Sequence, residues 1–129
     1  MPHAHETLLR DAYAAFARGD IDGYWSVCSP DFVFNVPGRN VMAGTYRGKD
    51  AFMAMVGKVM QLSGGQFQET VHDILANDEH GIVLATHRFS RNGRTYEYNT
   101  AHVYHVRDGR LIEAWEQPQD QTLFDEAWT

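Results

Sequence analysis

Two polar residues interrupt apolar runs near the carboxyl end of the chain. His102 and Glu116 lie in two alternating segments, residues 95–106 and 110–117, at positions where a strand normally carries hydrophobic side chains. A glutamate can exchange a proton with a ligand if burial raises its pKa toward neutrality, and an imidazole can donate a hydrogen bond to a ligand oxygen. We predict Glu116 as a general acid/base and His102 as its partner. The simpler alternatives are a solvated glutamate and a histidine that only packs in the core.

The loop between the two segments decides whether these side chains share a face. If residues 107–109 form a three-residue loop with a glycine bulge, Thr100 pairs with Glu116, and His102 lies on the same face. If Asp108-Gly109 instead forms a two-residue type I′ turn, His102 and Glu116 lie on opposite faces. The residues alone permit both arrangements.

The histidines are not spaced for a metal site, and the single cysteine is not placed to act as a nucleophile. His102 and His105 are three apart on a strand, so they point to opposite faces and cannot share an ion. The remaining histidines are predicted on separate strands or turns or near the amino terminus: His3, His5, His72, His80 and His87. Cys28 is predicted on the buried stripe of a short helix, where a thiol behaves as a small hydrophobic group. We predict no metal site and no cofactor.

Composition excludes several classes of function. The chain has 129 residues, 43% of them hydrophobic, which is enough for one domain with its own core. The net charge of −6 and the absence of a Lys/Arg run disfavour nucleic acid as a partner. A single cysteine cannot form an internal disulfide, and no segment has the length of a signal peptide core or a membrane span. A cytoplasmic protein is the expectation.

The hydrophobic period changes from helical to strand-like at Gly65. The helical part predicts helices over residues 5–17 and 21–28, and a third helix that is capped by Asp50 and ends at Gly64-Gly65. Strands are predicted over residues 32–36, 66–75, 82–90, 95–106 and 110–117, with an irregular hairpin-like excursion over 39–48 and a last helical turn behind Asp120. This order predicts a single α+β domain over residues 1–129. Its curved antiparallel sheet, a four-strand meander plus a short strand, is covered on one face by three N-terminal helices.

A concave site is expected where the helices cover the sheet. Aromatic and apolar side chains on the inward positions favour a flat, hydrophobic, oxygen-bearing ligand. The residues predicted to contact it are Tyr13, Trp25, Cys28, Asn35, Phe52, Met55 and Tyr104. For Asn35, hydrogen bonding to the backbone of the Pro37-Gly38 turn is an equally good interpretation.

The opposite face of the sheet is also expected to carry hydrophobic residues. Val103, Leu111 and Trp115 are predicted on that face and would be exposed in a monomer, which favours a homodimer packed sheet to sheet. The simpler alternative is a half-polar solvent face, because Asn99, His105 and Glu113 are predicted there too.

Five segments of the sequence resemble one known family. They read FARGDIDGYW, DFVFNVPGRN, AGTYRGKDAF, HVYHVRDGRLIEAWE and DQTLFDEAW, and they span nearly the whole chain. The pattern is similar to the SnoaL-like branch of the nuclear transport factor 2-like superfamily, whose cone-shaped fold is shared with ketosteroid isomerases and limonene epoxide hydrolases. The resemblance is specific for the fold and poor for the reaction, because the superfamily includes isomerases, cyclases, hydrolases and proteins without catalysis.

The resemblance supports some residue roles and removes others. Ketosteroid isomerases have a proton-shuttling aspartate at the position of Val36, an oxyanion-hole acid at that of His102 and a tyrosine at that of Cys28. Because valine cannot carry a proton, steroid isomerase chemistry is disfavoured. SnoaL-type cyclases carry an acid directly after a tryptophan on the last strand, which matches Glu116. That acid faces the same pocket as the residue on the preceding strand at the position of His102, so the resemblance favours the three-residue loop.

These observations lead to two hypotheses. The first is a small dimeric enzyme that performs cofactor-free proton transfer, as in cyclisation, isomerisation or hydrolysis, on a small apolar molecule. The second is a non-catalytic ligand-binding or dimerisation module of the same fold. The first requires Glu116 and His102 to converge on one ligand position.

Overall fold

The computed structural model describes residues 1–129 and contains four helices and six strands. The helices are α1 (Ala4–Ala17), α2 (Ile21–Trp25), α3 (Gly48–Leu62) and α4 (Gln121–Ala127). The strands are β1 (Cys28–Val36), β2 (Gly44–Arg47), β3 (Gln68–Ala76), β4 (His80–Arg91), β5 (Arg94–Arg107) and β6 (Arg110–Pro118). No helix is both long enough and apolar enough to cross a membrane. The predicted α+β class is confirmed.

The six strands form one open, mixed sheet in the order β2-β1-β6-β5-β4-β3. Strands β3 to β6 form the predicted antiparallel meander. Strand β1 instead lies parallel to β6, and β2 adds an antiparallel edge strand within the expected irregular excursion. The prediction of a wholly antiparallel sheet with one short extra strand was therefore wrong. Alternation along a strand identifies its two faces and says nothing about which strand lies beside it.

The boundaries of two helices differ from the prediction. Helix α2 stops before Cys28, which opens β1 rather than lying on a helical stripe. Helix α3 begins at Gly48, so Asp50 lies in its first turn, where a carboxylate favours the helix dipole without capping the end. The cap of α4 is as predicted, because the Asp120 carboxylate accepts a hydrogen bond from the backbone N–H of Leu123 at 3.1 Å.

The turn between β5 and β6 is the two-residue kind. Arg107 pairs directly with Arg110, and the two residues between them have positive φ, 50° for Asp108 and 75° for Gly109. Two consecutive residues in the left-handed region are the mark of a type I′ turn, whose twist matches that of the strands. The three-residue loop favoured by the family resemblance was wrong.

A bulge in β6 follows this turn. Val106 pairs with Leu111, but the next pair is His105 with Glu113, so Ile112 has no partner of its own. One extra residue in one strand moves every later side chain of that strand to the other face.

The two-residue turn alone would place His102 and Glu116 on opposite faces of the sheet, and the bulge returns them to the same face. His102 pairs directly with Glu116, so both side chains lie on the same face. Leu111 precedes the bulge, and the two-residue turn pairs it with Val106, so Leu111 is fully buried in the core rather than on the outer face where it was predicted. Both loop interpretations had treated the hairpin as regular beyond the turn.

Helices cover one face of the sheet. Helix α1 packs on β3 and β4, α3 on β1 and β2, and α4 on β5 and β6. The other face carries an apolar row that crosses four adjacent strands, since Leu75 pairs with Ile82, Ile82 with Val103, and Val103 with Trp115. Leu75 and Ile82 are exposed, while the other two are half-buried.

Candidate active site

A cavity of about 90 Å³ lies between the sheet and the helices. Most of its wall is aromatic or aliphatic, including Phe124 and Trp128 from the carboxyl-terminal segment. The polar residues on the wall are Tyr13, Tyr24, Glu69, His87, Tyr98, His102, Tyr104 and Glu116. Ionisable groups thus meet in an apolar enclosure, where electrostatic interactions are stronger than in water.

The side chains of His102 and Glu116 meet inside the protein. Nε2 of His102 donates to Oε1 of Glu116 at 3.0 Å, and the hydroxyl of Thr100 donates to the other oxygen, Oε2. His102 is 5% exposed and Glu116 8% exposed. Each oxygen of the Glu116 carboxylate is therefore occupied by a protein donor.

The two partners hold each other in their charged forms. Burial by itself lowers the pKa of a histidine and raises that of a glutamate, because both lose water. The charge of Glu116 and its hydrogen bond outweigh burial and raise the pKa of His102 to about 9. The charge and hydrogen bond of His102 likewise outweigh burial and lower the pKa of Glu116 to about 2. The prediction that burial would raise the pKa of Glu116 toward neutrality was wrong.

Three tyrosine hydroxyls continue the network from the other nitrogen of His102. Nδ1 of His102 lies 2.6 Å from the Tyr13 hydroxyl, which lies 2.5 Å from that of Tyr104, and Tyr104 reaches Tyr24 at 2.6 Å. Burial raises the pKa of all three phenols well above the usual value, so they stay protonated at neutral pH. Since the charged imidazole donates to the Tyr13 oxygen, the Tyr13 proton points away from His102, toward Tyr104 or a ligand.

A second carboxylate–imidazole pair lies on the neighbouring strands. Glu69 on β3 and His87 on β4 are cross-strand partners, and Nε2 of His87 donates to Oε2 of Glu69 at 2.6 Å. Nδ1 of His87 lies 3.1 Å from the hydroxyl of Tyr98, which accepts a hydrogen bond from the indole N–H of Trp128 at 3.0 Å. None of these four residues had been predicted as part of the site.

Both nitrogens of His87 have hydrogen-bond partners. Because the Tyr98 hydroxyl accepts from Trp128, its own proton can be donated to Nδ1 of His87. Nε2 of His87 faces Glu69 and donates to its Oε2. The imidazole of His87 is therefore held on both sides.

The two pairs approach each other across the cavity wall. Nδ1 of His102 lies 4.0 Å from Oε2 of Glu69, and the two imidazole rings are 5.4 Å apart. The sequence predicts that histidines on separate strands lie too far apart to share an ion. For His87 and His102 this was wrong, because the two residues lie on separate strands and nevertheless converge. Together with Glu69 they offer possible ligand atoms within 4.8 Å of one another. Each of these atoms already has a protein partner, Tyr13 for His102 and the other member of the pair for Glu69 and His87.

Comparisons with known proteins agree with this architecture. Residues 9–114 match the SnoaL-like domain. The chain belongs to the SnoaL-like family. It is 32% identical over 123 residues to the uncharacterized protein Rv0034 of Mycobacterium tuberculosis, covering 94% of this chain and 93% of that protein.

This SnoaL-like protein shares its fold with solved proteins of the nuclear transport factor 2-like superfamily. Bal32a, from a soil-derived mobile gene cassette, superposes with a TM-score of 0.90 at 27% identity, over 95% of each chain. IdmH of Streptomyces antibioticus, described as a candidate polyketide cyclase, superposes with a TM-score of 0.73 at 20% identity, over 95% of this chain and 96% of IdmH. At that identity IdmH shares the fold alone.

The SnoaL-like protein brings some predicted ligand contacts to the cavity and leaves others outside. Tyr13, Phe52, Met55 and Tyr104 line it, as does Val36 at the position of the isomerase base. The residues predicted as ligand contacts that lie outside its wall are Trp25, Cys28 and Asn35.

Each of these three side chains has another partner in the fold. Trp25 packs against Phe52 with ring centroids 5.6 Å apart. Cys28 is buried beside the Tyr24 carbonyl, which its Sγ approaches at 3.7 Å. The Asn35 side chain donates to the Glu113 carboxylate at 2.8 Å, on the outer side of the sheet.

A larger groove of about 740 Å³ runs along the outside of the cavity, between α1, the end of α3 and β3. The cavity and the groove share four wall residues: Tyr13, Phe16, Phe67 and Glu69. These four residues form the threshold between the interior and the protein surface.

Proposed function

We propose that this protein binds a small, largely apolar molecule that bears an oxygen, and that it catalyses cofactor-free proton transfer on it. The reaction class is cyclisation, isomerisation or hydrolysis. The observation that carries this proposal is the charged His102, held by Glu116 on one nitrogen and by Tyr13 on the other, at the wall of an apolar cavity.

This arrangement supplies a prepared hydrogen-bond donor. A ligand oxygen that gains negative charge during reaction is stabilised by donors that are already oriented, and most strongly where water is excluded. The Tyr13 hydroxyl is such a donor, because His102 occupies its oxygen and directs its proton away from the imidazole, toward Tyr104 or a ligand. Glu116 acts through His102, since both of its own oxygens are occupied.

The lining of the cavity supports a compact apolar ligand. A cavity of about 90 Å³ is smaller than the ~150 Å³ known to hold benzene. A ring-sized ligand therefore needs side-chain adjustment, for which Met42 and Met55 on the wall are suited because methionine side chains repack easily. IdmH, a candidate polyketide cyclase, has the same fold, and polyketides are oxygen-bearing molecules, which is consistent with such a ligand.

One observation favours the non-catalytic alternative. Every buried side-chain nitrogen and oxygen already has a hydrogen-bond partner within the protein. A polar network that is complete without a ligand can serve to specify the fold rather than a reaction. The alternative predicts that small ketones bind without exchange of their hydrogens.

A small cyclic ketone tests the two alternatives. Cyclopentanone is titrated into the protein, with binding followed by NMR and the exchange of its α-hydrogens in D₂O followed by loss of the proton signal. We expect wild-type protein to bind the ketone and to accelerate exchange, and His102→Gln to weaken both by about tenfold or more. His105→Gln, which changes an exposed histidine of the same strand on the other face, is the matched control. Binding without exchange supports the non-catalytic alternative, and absence of both rejects the proposal.

A further inference from the structure

The two cavity carboxylates differ in how completely the protein occupies them. Glu116 receives one hydrogen bond on each oxygen, from His102 and from Thr100. Glu69 receives a single hydrogen bond, from His87 to Oε2, and no protein donor bonds to its Oε1. The carboxylate oxygen best placed to remove a proton from a ligand is one that no protein donor occupies. Glu69 has such an oxygen and Glu116 does not.

The positions of the two carboxylates differ in the same sense. Glu69 lines both the inner cavity and the outer groove, while Glu116 lines the inner cavity and is absent from the groove wall. The side chain of Glu69 is 11% exposed. A ligand that enters from the groove therefore meets Glu69 and Tyr13 at the threshold before it reaches His102, and a proton held by Glu69 can exchange with solvent.

The neighbours of Glu69 fix one of its oxygens and leave the other without a protein partner. His87 donates to Oε2 and is itself held by Tyr98, which is held by Trp128. These bonds orient the carboxylate, while Oε1 accepts no hydrogen bond from the protein. A carboxylate oxygen that is oriented by its neighbours and can approach a ligand is what a general base requires.

We propose that Glu69 is the catalytic base of this site and that His87 is its positioning residue. The inference rests on the proposed function and assigns the group that the His102 network lacks. The ligand carbonyl oxygen lies at the Tyr13 hydroxyl, and its α-carbon lies toward Oε1 of Glu69. Oxygen and base are compatible with one small ligand, because Glu69 and His102 approach within 4.0 Å.

The proton transfer is balanced without any further reactant. Oε1 of Glu69 takes the α-proton, the electrons of the broken C–H bond form a C=C bond, and the carbonyl oxygen becomes an enolate oxygen that accepts a hydrogen bond from Tyr13. Return of a proton from the Glu69 carboxylic acid to carbon regenerates both groups. In D₂O the acid proton is replaced by deuterium from solvent in the groove before the return.

The experiment compares two isosteric variants of the two carboxylates, Glu69→Gln and Glu116→Gln, with cyclopentanone as the probe. For Glu69→Gln we expect exchange at saturating ketone to fall by at least about tenfold while the dissociation constant stays within about twofold of wild type. For Glu116→Gln we expect the dissociation constant to rise, because the donor through His102 and Tyr13 is weakened. Glu113→Gln, on the other face of the sheet, is the control with no expected effect.

A second variant protects the test against loss of folding. Glu69→Asp keeps the charge but withdraws the carboxylate by about 1.5 Å, the length of one C–C bond, and we expect it to lose exchange as well. Wild-type exchange that persists in both Glu69 variants overturns the assignment of the base and leaves the proposed function standing. Wild-type protein that neither binds nor exchanges cyclopentanone overturns both.

Discussion

The two carboxylate–imidazole pairs are built from the same residue types on adjacent strands, yet they are different chemical objects. Glu116 and His102 lie deep between β5 and β6, with every polar atom bonded to protein. Glu69 and His87 lie between β3 and β4, with Glu69 at the threshold of the groove and its Oε1 unbonded to protein. Complete hydrogen bonding favours a structural and electrostatic role, and incomplete hydrogen bonding beside an opening favours contact with a ligand.

The two pairs also differ in their electrostatics and in how a ligand can approach them from the groove. The inner pair is an ion pair whose partners stabilise each other's charge. The outer pair makes one hydrogen bond between its partners and keeps a carboxylate oxygen beside the groove without a protein donor. Removing Glu116 should therefore affect stability more strongly, and removing Glu69 should affect proton transfer more strongly. Variants of the two residues test this difference.

Loss of the inner carboxylate should have the largest effect on stability. Glu116→Ala leaves His102 buried without its counter-charge, and breaking one partner of a buried pair costs about 3 kcal/mol or more in free energy of unfolding. Glu69→Ala should cost less, about 1–2 kcal/mol, because Glu69 makes a single protein hydrogen bond and lies at the groove, where water can take its place. Urea denaturation of both variants measures the two values. Equal costs would show that the outer pair is as structural as the inner one.

The pH dependence of stability should also belong to the inner pair. The pKa of His102 in the folded protein, about 9, lies above its ordinary value of 6.5, so its contribution is complete below about pH 6.5 and is lost as the pH rises through about 9. The pKa of Glu116, about 2, lies below its ordinary value of 4.5, so its contribution is complete above about pH 4.5 and is lost as the pH falls through about 2.

A double variant isolates this contribution. The free energy of unfolding of wild type minus that of the His102→Gln, Glu116→Gln variant should have a plateau between about pH 4.5 and 6.5 and should decline above and below it. A difference that does not change between about pH 6 and 10 would contradict an ion pair at this position.

The hydroxyl that connects the inner pair to the ligand should matter moderately for stability and more for binding. Tyr13→Phe removes the partner of His102 Nδ1 and of the Tyr104 hydroxyl, at a cost of about 1–2 kcal/mol. Cyclopentanone should bind several-fold more weakly, since its oxygen loses a donor. Tyr24→Phe removes the far end of the same chain and is the matched control. Equal weakening by both variants would locate the donor elsewhere.

The sequence predicted that His102 and Glu116 share a face, but it did not predict the strand register that brings them together. The alternation in residues 95–106 identified His102, and the shared face with Glu116 is present in the structure. The three-residue loop that was predicted to cause this shared face was wrong, because the structure has a type I′ turn followed by a bulge at Ile112. A bulge leaves no mark in a hydrophobic pattern that is already half polar, so the register could not be derived from the residues alone.

The outer pair was missed although its signal was present. Residues 66–75 and 82–90 were predicted as strands, and His87 alternates with the apolar Ala85 and Phe89 on the inward face. A histidine on the buried side of a strand requires a polar partner, and Glu69 lies directly opposite once β3 and β4 pair. What the sequence did not contain was that pairing register, which depends on a second irregularity in β3 between Val71 and Asp73.

The smallest expected effect on chemistry comes from the outer face of the sheet, which contacts neither pair. The homodimer anticipated from the sequence remains a prediction, now based on the apolar row of Leu75, Ile82, Val103 and Trp115. We expect Val103→Glu to convert dimer to monomer in light scattering, because a charge at the centre of an apolar contact is costly to desolvate. Thr86→Glu, on the same face outside the row, is the control. Cyclopentanone exchange should stay close to wild type in both variants, since all ionisable groups of the cavity come from one chain. A sharp loss of exchange in Val103→Glu would connect the outer face to the site and weaken the separation between them.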